Sequence, residues 1–317
     1  KEMVSKARMK MEIAWGLGSR FGRVRTSTGV HVWKGLIRPT LEYAAEVWHR
    51  GKWEEAEKVQ RSMGKRILGC RQNTTNEAVL GELGWWTMEG RRDLLMVCYW
   101  AKICRMDESR LVKRVYEARK RVRGKARSSW CAKVKEILYR LGVGDKWDSE
   151  EVGSQESWAR EIKKCVLEEE TRKWQAGMEA KPKLRQYRKF KRELKQEMYL
   201  EEDGNWRGRQ LLTGLRTGSN GLRVETDRWH KVPLEWRLCP LCAEETETEH
   251  HFLSRCRALE DAREQWARTL PEQEKHCWNL MNEEQKTEWL LTPTKETTKM
   301  VKSLLVKLDI NRSAMLQ

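Results

Sequence analysis

A chain of 317 residues, 35% of them charged and 39% apolar, has the length for two or three domains but only narrow apolar faces to pack them with, which excludes a single small scaffold. Its 64 Lys and Arg against 47 Asp and Glu leave a formal charge of +17, a balance that suits polyanions: RNA, DNA or an anionic membrane surface. The longest apolar run, residues 94–101, is far short of a membrane span, and the amino end has no apolar signal-peptide core, so no membrane insertion is expected and the location expected is nuclear or cytoplasmic.

Helical periodicity begins at once, near residues 2–15. The chain opens at Lys1, without an initiator methionine and inside that pattern, which reads as a fragment of something longer. A second helix is expected over 29–48. From Trp53 onward Ala56, Val59, Met63 and Ile67 recur at three- and four-residue steps, with Gly69 as a stop. Helices follow near 75–82, 88–105 and 109–122. Val134, Ile137, Leu138 and Leu141 repeat the pattern after a cap at Ser128 or Ser129, and Gly142 closes it. Further helices are predicted over 156–178, 183–199, 205–215, 256–269 and 294–308. The one strand signal is the short stretch 222–225. Linkers are placed at 123–129, 145–155 and 179–183, with a turn at 217–221, and no internal repeat is visible. The fold class expected is mostly α.

Charge is unevenly spread along these elements. Residues 231–317 hold 13 basic and 15 acidic side chains, so the cationic excess lies earlier, and two segments concentrate it. Arg119, Lys120, Arg121, Arg123, Lys125 and Arg127 form the first. The second is Lys181, Lys183, Arg185, Arg188, Lys189, Lys191, Arg192 and Lys195, with Tyr187 and Phe190 interleaved. On a helix through 183–199, Arg185, Arg188, Lys189 and Arg192 share one face, and cations beside aromatics suit RNA or DNA. The competing reading of each segment is an ordinary solvated helix face. Seventeen Trp against three Phe are read mainly as packing anchors, Trp33, Trp48, Trp53, Trp85, Trp86 and Trp100 among them, with base stacking the alternative for any single ring.

Nine cysteines could suggest disulfides. Six of them, Cys70, Cys98, Cys104, Cys131, Cys165 and Cys277, lack any framework spacing, which favours a reducing compartment. The other three cluster with histidine. Cys239-Pro240-Leu241-Cys242 is followed by His250, His251 and Cys256, giving C-x2-C-x8-H-x4-C with His251 or C-x2-C-x7-H-x5-C with His250. One histidine is then a ligand and the other its neighbour, and His251 is preferred. Four nitrogen and sulfur donors suit one tetrahedral zinc, and a sphere closed by four protein ligands leaves no place for an activated water, so the zinc expected is structural.

Catalytic alternatives fail on spacing. None of the six histidines is followed two residues later by Glu, as a zinc deaminase requires. Gly16, Gly18 and Gly22 miss the dinucleotide spacing by one residue. The eight Asp include no adjacent pair, and the Glu are scattered along solvated faces, which gives no basis for two-metal phosphoryl transfer.

Four blocks of residues resemble the carboxy-terminal part of non-LTR (LINE-type) retrotransposon reverse transcriptases. The first is Tyr43, Glu46-Val47-Trp48, Val59-Gln60-Arg61, Arg66-Ile67-Leu68-Gly69 and Gly81-Glu82-Leu83-Gly84-Trp85, similar to thumb helices. Lys183-Leu184-Arg185-Gln186-Tyr187 with Phe190-Lys191 is similar to the family's connector. Leu215-Arg216-Thr217-Gly218 with Glu225-Thr226 and Arg228 resembles the lead into its knuckle. Glu247-Thr248, then His251-Phe252-Leu253 and Cys256, resembles the knuckle itself, a second reason to prefer His251. The likeness covers roughly residues 1–270. It implies a thumb-like helical domain over 1–122, a basic helical connector over 123–204, a zinc-knuckle domain over 205–270 and a helical tail over 271–317. It also implies a grip on template RNA or target DNA during target-primed reverse transcription. The family's fingers, palm and catalytic aspartates are absent, so the chain is expected to lack polymerase activity on its own and to depend on the palm and fingers of a longer polyprotein. A helical scaffold or interaction protein, a domesticated or degenerate transposon fragment without a catalytic role, is the rival expectation.

Overall fold

The computed structural model describes residues 2–20, 24–121, 129–202 and 204–316. These residues are mostly α-helical and include no β-strand; one isolated antiparallel bridge joins Leu238 and Thr246. In chain order the helices are α1 Glu2–Arg20, α2 Thr26–Val32, α3 Arg38–Glu42, α4 Ala45–Trp48, α5 Glu54–Leu68, α6 Asn76–Leu83, α7 Met88–Cys104, α8 Leu111–Arg121 and α9 Trp130–Arg140. They continue with α10 Asp145–Ser149, α11 Gln155–Glu179, α12 Tyr187–Phe190, α13 Trp206–Arg216, α14 Arg223–Thr226, α15 Glu260–Ala267, α16 Glu272–Leu280, α17 Glu283–Leu291 and α18 Thr298–Met315.

Where the apolar pattern was strong the helices form as expected. Ala56, Val59, Met63 and Ile67 are all buried along α5. Ser129 is the cap of α9, its hydroxyl accepting from the Ala132 amide at 3.1 Å, and Gly142 follows the helix with a φ of +78° that favours glycine.

Four expectations are corrected. The helix expected over 29–48 is broken: a wide π-type turn runs through Trp33–Ile37, and the chain then extends at Tyr43 and turns left-handed at Ala44, with φ +52°. The single helix over 183–199 does not form. The chain turns extended at Lys191 after one short helical turn, α12, with the buried Lys191 ammonium on the Lys195 carbonyl and Glu197, and Glu197 N bonded to the Glu82 carbonyl. The strand over 222–225 is instead helix α14, whose first amide, Arg223 N, is met by the Glu247 carboxylate at 2.7 Å. The linker over 145–155 holds the short helix α10, kept in place by buried Trp147. Helices α16 and α17 had no strong apolar period and were not foreseen.

Packing divides the chain into two compact units built from discontinuous stretches. The first comprises residues 1–17, 31–61 and 85–176, and its core sets Trp100, Tyr116, Trp147 and Trp158 among aliphatic side chains. Trp100 on α7 stacks on Trp147 at 5.8 Å between centroids and leans on Trp158 at 5.6 Å. Its indole N–H is satisfied by the Tyr116 hydroxyl at 3.1 Å, as a buried indole requires. Buried Asp93 is met by His49 at 2.7 Å and by Arg140; burial opposes its ionisation, but these two partners hold the carboxyl below the usual range. Buried Arg92 hydrogen-bonds the Met88 carbonyl and sets its guanidinium over the rings of Trp53 and Trp48, at 5.5 and 5.9 Å.

The second unit comprises residues 18–30, 62–84 and 177–317. At its centre the fully buried Arg216 of α13 donates through Nε and Nη2 to Glu82 of α6 at 2.9–3.2 Å. Glu197 lies 2.7 Å from the same guanidinium, which also reaches the Leu291 carbonyl and lies over the Phe190 and Tyr199 rings. The Tyr199 hydroxyl donates to Glu82 as well. Burial works against the charge, yet Glu82 and Glu197 hold Arg216 more firmly protonated than an ordinary arginine. Gly208 lets α13 approach α18 closely: a Cβ there would come within 2.6 Å of the Lys302 carbonyl oxygen. Lys302, buried itself, donates to the Glu202 carboxylate at 2.7 Å.

Removing one partner of the central pair would leave a buried carboxylate with too little positive charge around it. Arg216→Leu is therefore predicted to destabilise the second unit by about 3–5 kcal/mol, and the double variant Glu82→Leu with Arg216→Leu to recover part of the loss. Urea unfolding of the three proteins checks this, and a single-variant cost below about 1 kcal/mol would remove the pair from its central role.

Candidate metal centre

The knuckle is built from short-range hydrogen bonds. Cys239 N donates to the Glu245 carbonyl at 2.7 Å and Ala243 N to the Cys239 carbonyl at 2.9 Å, while Ala243 takes a left-handed φ of +56°. This folds the Cys239–Cys242 turn back beside the Leu238–Thr246 bridge. On the other side Thr248 accepts from the His251 amide through its hydroxyl at 3.1 Å and starts a wide turn, His251–Arg255. The bond from Cys256 N to the His251 carbonyl, 2.8 Å, spans five residues and brings Cys256 round to the histidine.

Cys239, Cys242, His251 and Cys256 thereby offer four donor atoms within 4.8 Å of one another, a group that can hold a metal ion. The Cys239 and Cys256 sulfurs are 3.8 Å apart, and Cys242 Sγ is 3.3 Å from His251 Nε2. A tetrahedral site with metal–sulfur bonds of about 2.3 Å has edges of about 3.8 Å, whereas a disulfide would need about 2.05 Å. All nine cysteines are free thiols. Burial pushes the Cys239 thiol up, and it pushes Cys256, with Cys239 beside it, to about 12. Burial thus opposes the thiolate form of Cys239 and Cys256, an opposition that a bound cation would offset.

The histidine register is decided by where the two rings lie. His251 is buried, turns Nε2 to the cysteines, and has Nδ1 3.2 Å from Glu245 Oε2. A carboxylate accepting from Nδ1–H leaves the Nε2 lone pair for a metal, the usual outer-sphere arrangement. Arg255 in turn holds that carboxylate at 2.9 Å. His250 points elsewhere, its Nδ1 2.7 Å from Thr287 Oγ1 of α17.

Two acidic residues that sequence reasoning did not mark as functional fasten the knuckle to its unit. Buried Glu247 accepts from Arg312 of α18 at 2.6 and 2.9 Å, and buried Glu249 accepts from Arg185 at 3.0 Å and Asn220 at 3.1 Å. The visible signal is the alternation Thr246-Glu247-Thr248-Glu249, which puts both carboxylates on one side of the segment. Among the described residues no second group of three or more His, Cys, Asp or Glu donors converges.

The basic residues expected to meet nucleic acid are divided by the fold. Arg119 and Arg121 on α8 are exposed, while Lys120 is turned to Glu150 and lies 5.2 Å from the Trp147 ring centre; Arg123 falls outside the described residues. In the second segment Lys181, Lys189, Arg192 and Lys195 are exposed. Lys183 is buried and donates to the Asn73 carbonyl, Arg185 bridges Glu225 and Glu249, and Arg188 reaches the Glu179 carbonyl. Tyr187 is fully buried. Because 183–199 is not one helix, Arg185, Arg188, Lys189 and Arg192 do not form the continuous helical face expected.

In comparisons with known proteins the chain matches no family model, no curated protein and no solved structure. Fold and site together define a mostly α protein with a four-donor Cys3His site able to hold a metal ion.

Titration with Co2+, whose thiolate and tetrahedral bands report ligation, is predicted to show one site per chain. His251→Ala and Cys256→Ser should weaken it far more than His250→Ala or Cys277→Ser; equal losses in the two histidine variants would contradict the register. Since binding expels thiol protons, affinity should rise from about pH 6 to about pH 8, and a flat profile would exclude thiolate ligation.

Proposed function

We propose that this chain is the nucleic-acid-binding carboxy-terminal portion of a non-LTR retrotransposon reverse transcriptase, gripping template RNA or target DNA during target-primed reverse transcription around a structural zinc. The observation that carries the reading is the Cys3His cluster, whose spacing and position after the Leu215–Gly218 block match the resemblance read in the sequence. Three soft thiolates and an imidazole favour zinc over magnesium or calcium. With all four positions taken by protein, the ion's contribution is to folding: it holds the two arms of the knuckle together.

The formal charge of +17 supports a polyanionic partner, and Arg119, Arg121, Lys189 and Arg192 are exposed cations of the two basic segments, open to phosphates. No helix among the described residues is long and apolar enough to cross a membrane. Polymerase chemistry would come from the palm and fingers of the same polyprotein, in the nucleus or cytoplasm. A second reading, a helical scaffold without nucleic acid, draws support from the cations that the fold spends internally: Lys183, Arg185 and Lys191.

Salt separates the two. Metal analysis should give one zinc per chain, and binding to single-stranded RNA should weaken steeply with salt. Replacing Arg119, Arg121, Lys189 and Arg192 by Gln should flatten the plot of log affinity against log salt by about 0.7 for each lost phosphate contact. Affinity that is absent at low salt, or insensitive to it, favours the scaffold.

A further inference from the structure

Fifteen of the seventeen tryptophans are buried or half-buried. The other two are Trp229, 63% exposed, and Trp236, 70% exposed, and both lie in the loop over 227–238 that leads into Cys239. Leaving two indoles in water forgoes about 25 cal/mol for every Å² of apolar surface they would otherwise bury. The loop is held firmly while it does so. Arg237 donates through Nε and Nη2 to the Val232 carbonyl at 2.9 and 2.7 Å and through Nη1 to the Val224 carbonyl at 2.8 Å. Val232 N closes onto the Asp227 carbonyl at 3.2 Å, and Lys231 sits in the left-handed region at φ +56°. The knuckle clamps the far end: Glu247 N donates to the Arg237 carbonyl at 2.9 Å and Thr246 Oγ1 to the Leu234 carbonyl at 3.1 Å.

We propose that this loop is a base-stacking platform, on which a single-stranded nucleic acid lays bases against Trp229 and Trp236 while Arg223, Arg228 and Lys231 meet its phosphates. The inference deepens the nucleic-acid reading above and rests on it. Charge favours this occupant. The Arg228 guanidinium lies 5.7 Å from the Trp229 ring centre, and exposed Lys231 follows two residues on. Asp227 pairs with Arg223 at 3.8 Å and Glu225 with Arg185 and Arg228 at 2.9 and 3.2 Å, so a phosphate would share Arg223 and Arg228 with these acids, beside exposed Lys231; Glu235 is the exposed carboxylate of the loop. Geometry favours it too. Among the described residues no ring contact joins Trp229 to Trp236, so the loop offers two aromatic planes, with exposed Leu234 and Leu238 flanking Trp236 in sequence. Aromatic planes beside cations suit stacked bases. The metal site then has a definite task, which is to fix the loop that displays the rings.

The test compares an RNA oligonucleotide with an abasic strand of the same length, which keeps the phosphates and removes the bases. The zinc-loaded wild-type chain should bind the abasic strand about tenfold or more weakly, since stacking alone contributes that much per base. Trp229→Ala with Trp236→Ala, zinc still bound, should lose affinity for RNA by a similar factor, keep the wild-type salt slope, and no longer distinguish the two strands. Equal binding of both strands by the wild type would overturn the platform even if the double variant failed to fold, and it would leave the phosphate grip standing. Failure of the wild type to bind either strand at low salt would overturn both the platform and the nucleic-acid reading.

Discussion

A chain in which 35% of residues are charged cannot pack its helices without burying some of that charge, and a carboxylate stays ionised away from water only where a cation or an N–H group meets it. In the second unit this requirement organises the tertiary structure. Glu82 needs Arg216, Glu247 needs Arg312, Glu249 needs Arg185, and Lys302 needs Glu202. The partners come from distant parts of the chain, so satisfying them dictates which segments lie together. Because the cost of leaving one member alone exceeds what the pair contributes, these contacts act more as specifiers of arrangement than as sources of net stability.

The knuckle depends on the same rule. Its own hydrogen bonds shape the two turns, but Glu247 and Glu249 attach it to α18 and to the segment around Arg185, and Glu245 orients the histidine. Three thiols and an imidazole gathered in a largely buried site are a poor arrangement for thiolates by themselves and a good one around a divalent cation. A metal held by all four donors would have no open position, so its contribution would lie in what it immobilises. The loop over 227–238 is the segment most directly tied to it.

Pairing also changes what a basic stretch means. Counted along the sequence, the segment around Lys183–Lys195 is a run of cations open to a polyanion. In the structure Lys183, Arg185 and Lys191 turn inward to a carbonyl or to carboxylates, and Tyr187 fills the core, which leaves Lys189 and Arg192 among the exposed ones. The reverse holds for tryptophan. Composition favours packing for the whole set, and Trp100 with Trp147 and Trp158 shows that role clearly, yet Trp229 and Trp236 face solvent. Neither distinction has a local signature, since burial depends on what another segment brings.

What the sequence by itself determined is whatever a short window can encode. The 3.6-residue period gives α5, α7, α9 and α11; Ser129 and Gly142 bound α9; and a two-residue cysteine spacing followed by histidine and cysteine gives the metal-ligand set. Tertiary structure decided the rest. It set His251, already preferred in the sequence, rather than His250 beside the cysteines, because a five-residue backbone turn carries Cys256 back to His251 while Thr287 takes the other ring. It broke the expected helix over 183–199, where the backbone turns extended at Lys191, the buried ammonium of that residue reaches the Lys195 carbonyl and Glu197, and Glu197 N bonds the Glu82 carbonyl of a distant segment. Local periodicity reports only which conformation a segment can adopt, and the pairing of buried charge between distant segments selects the one it keeps.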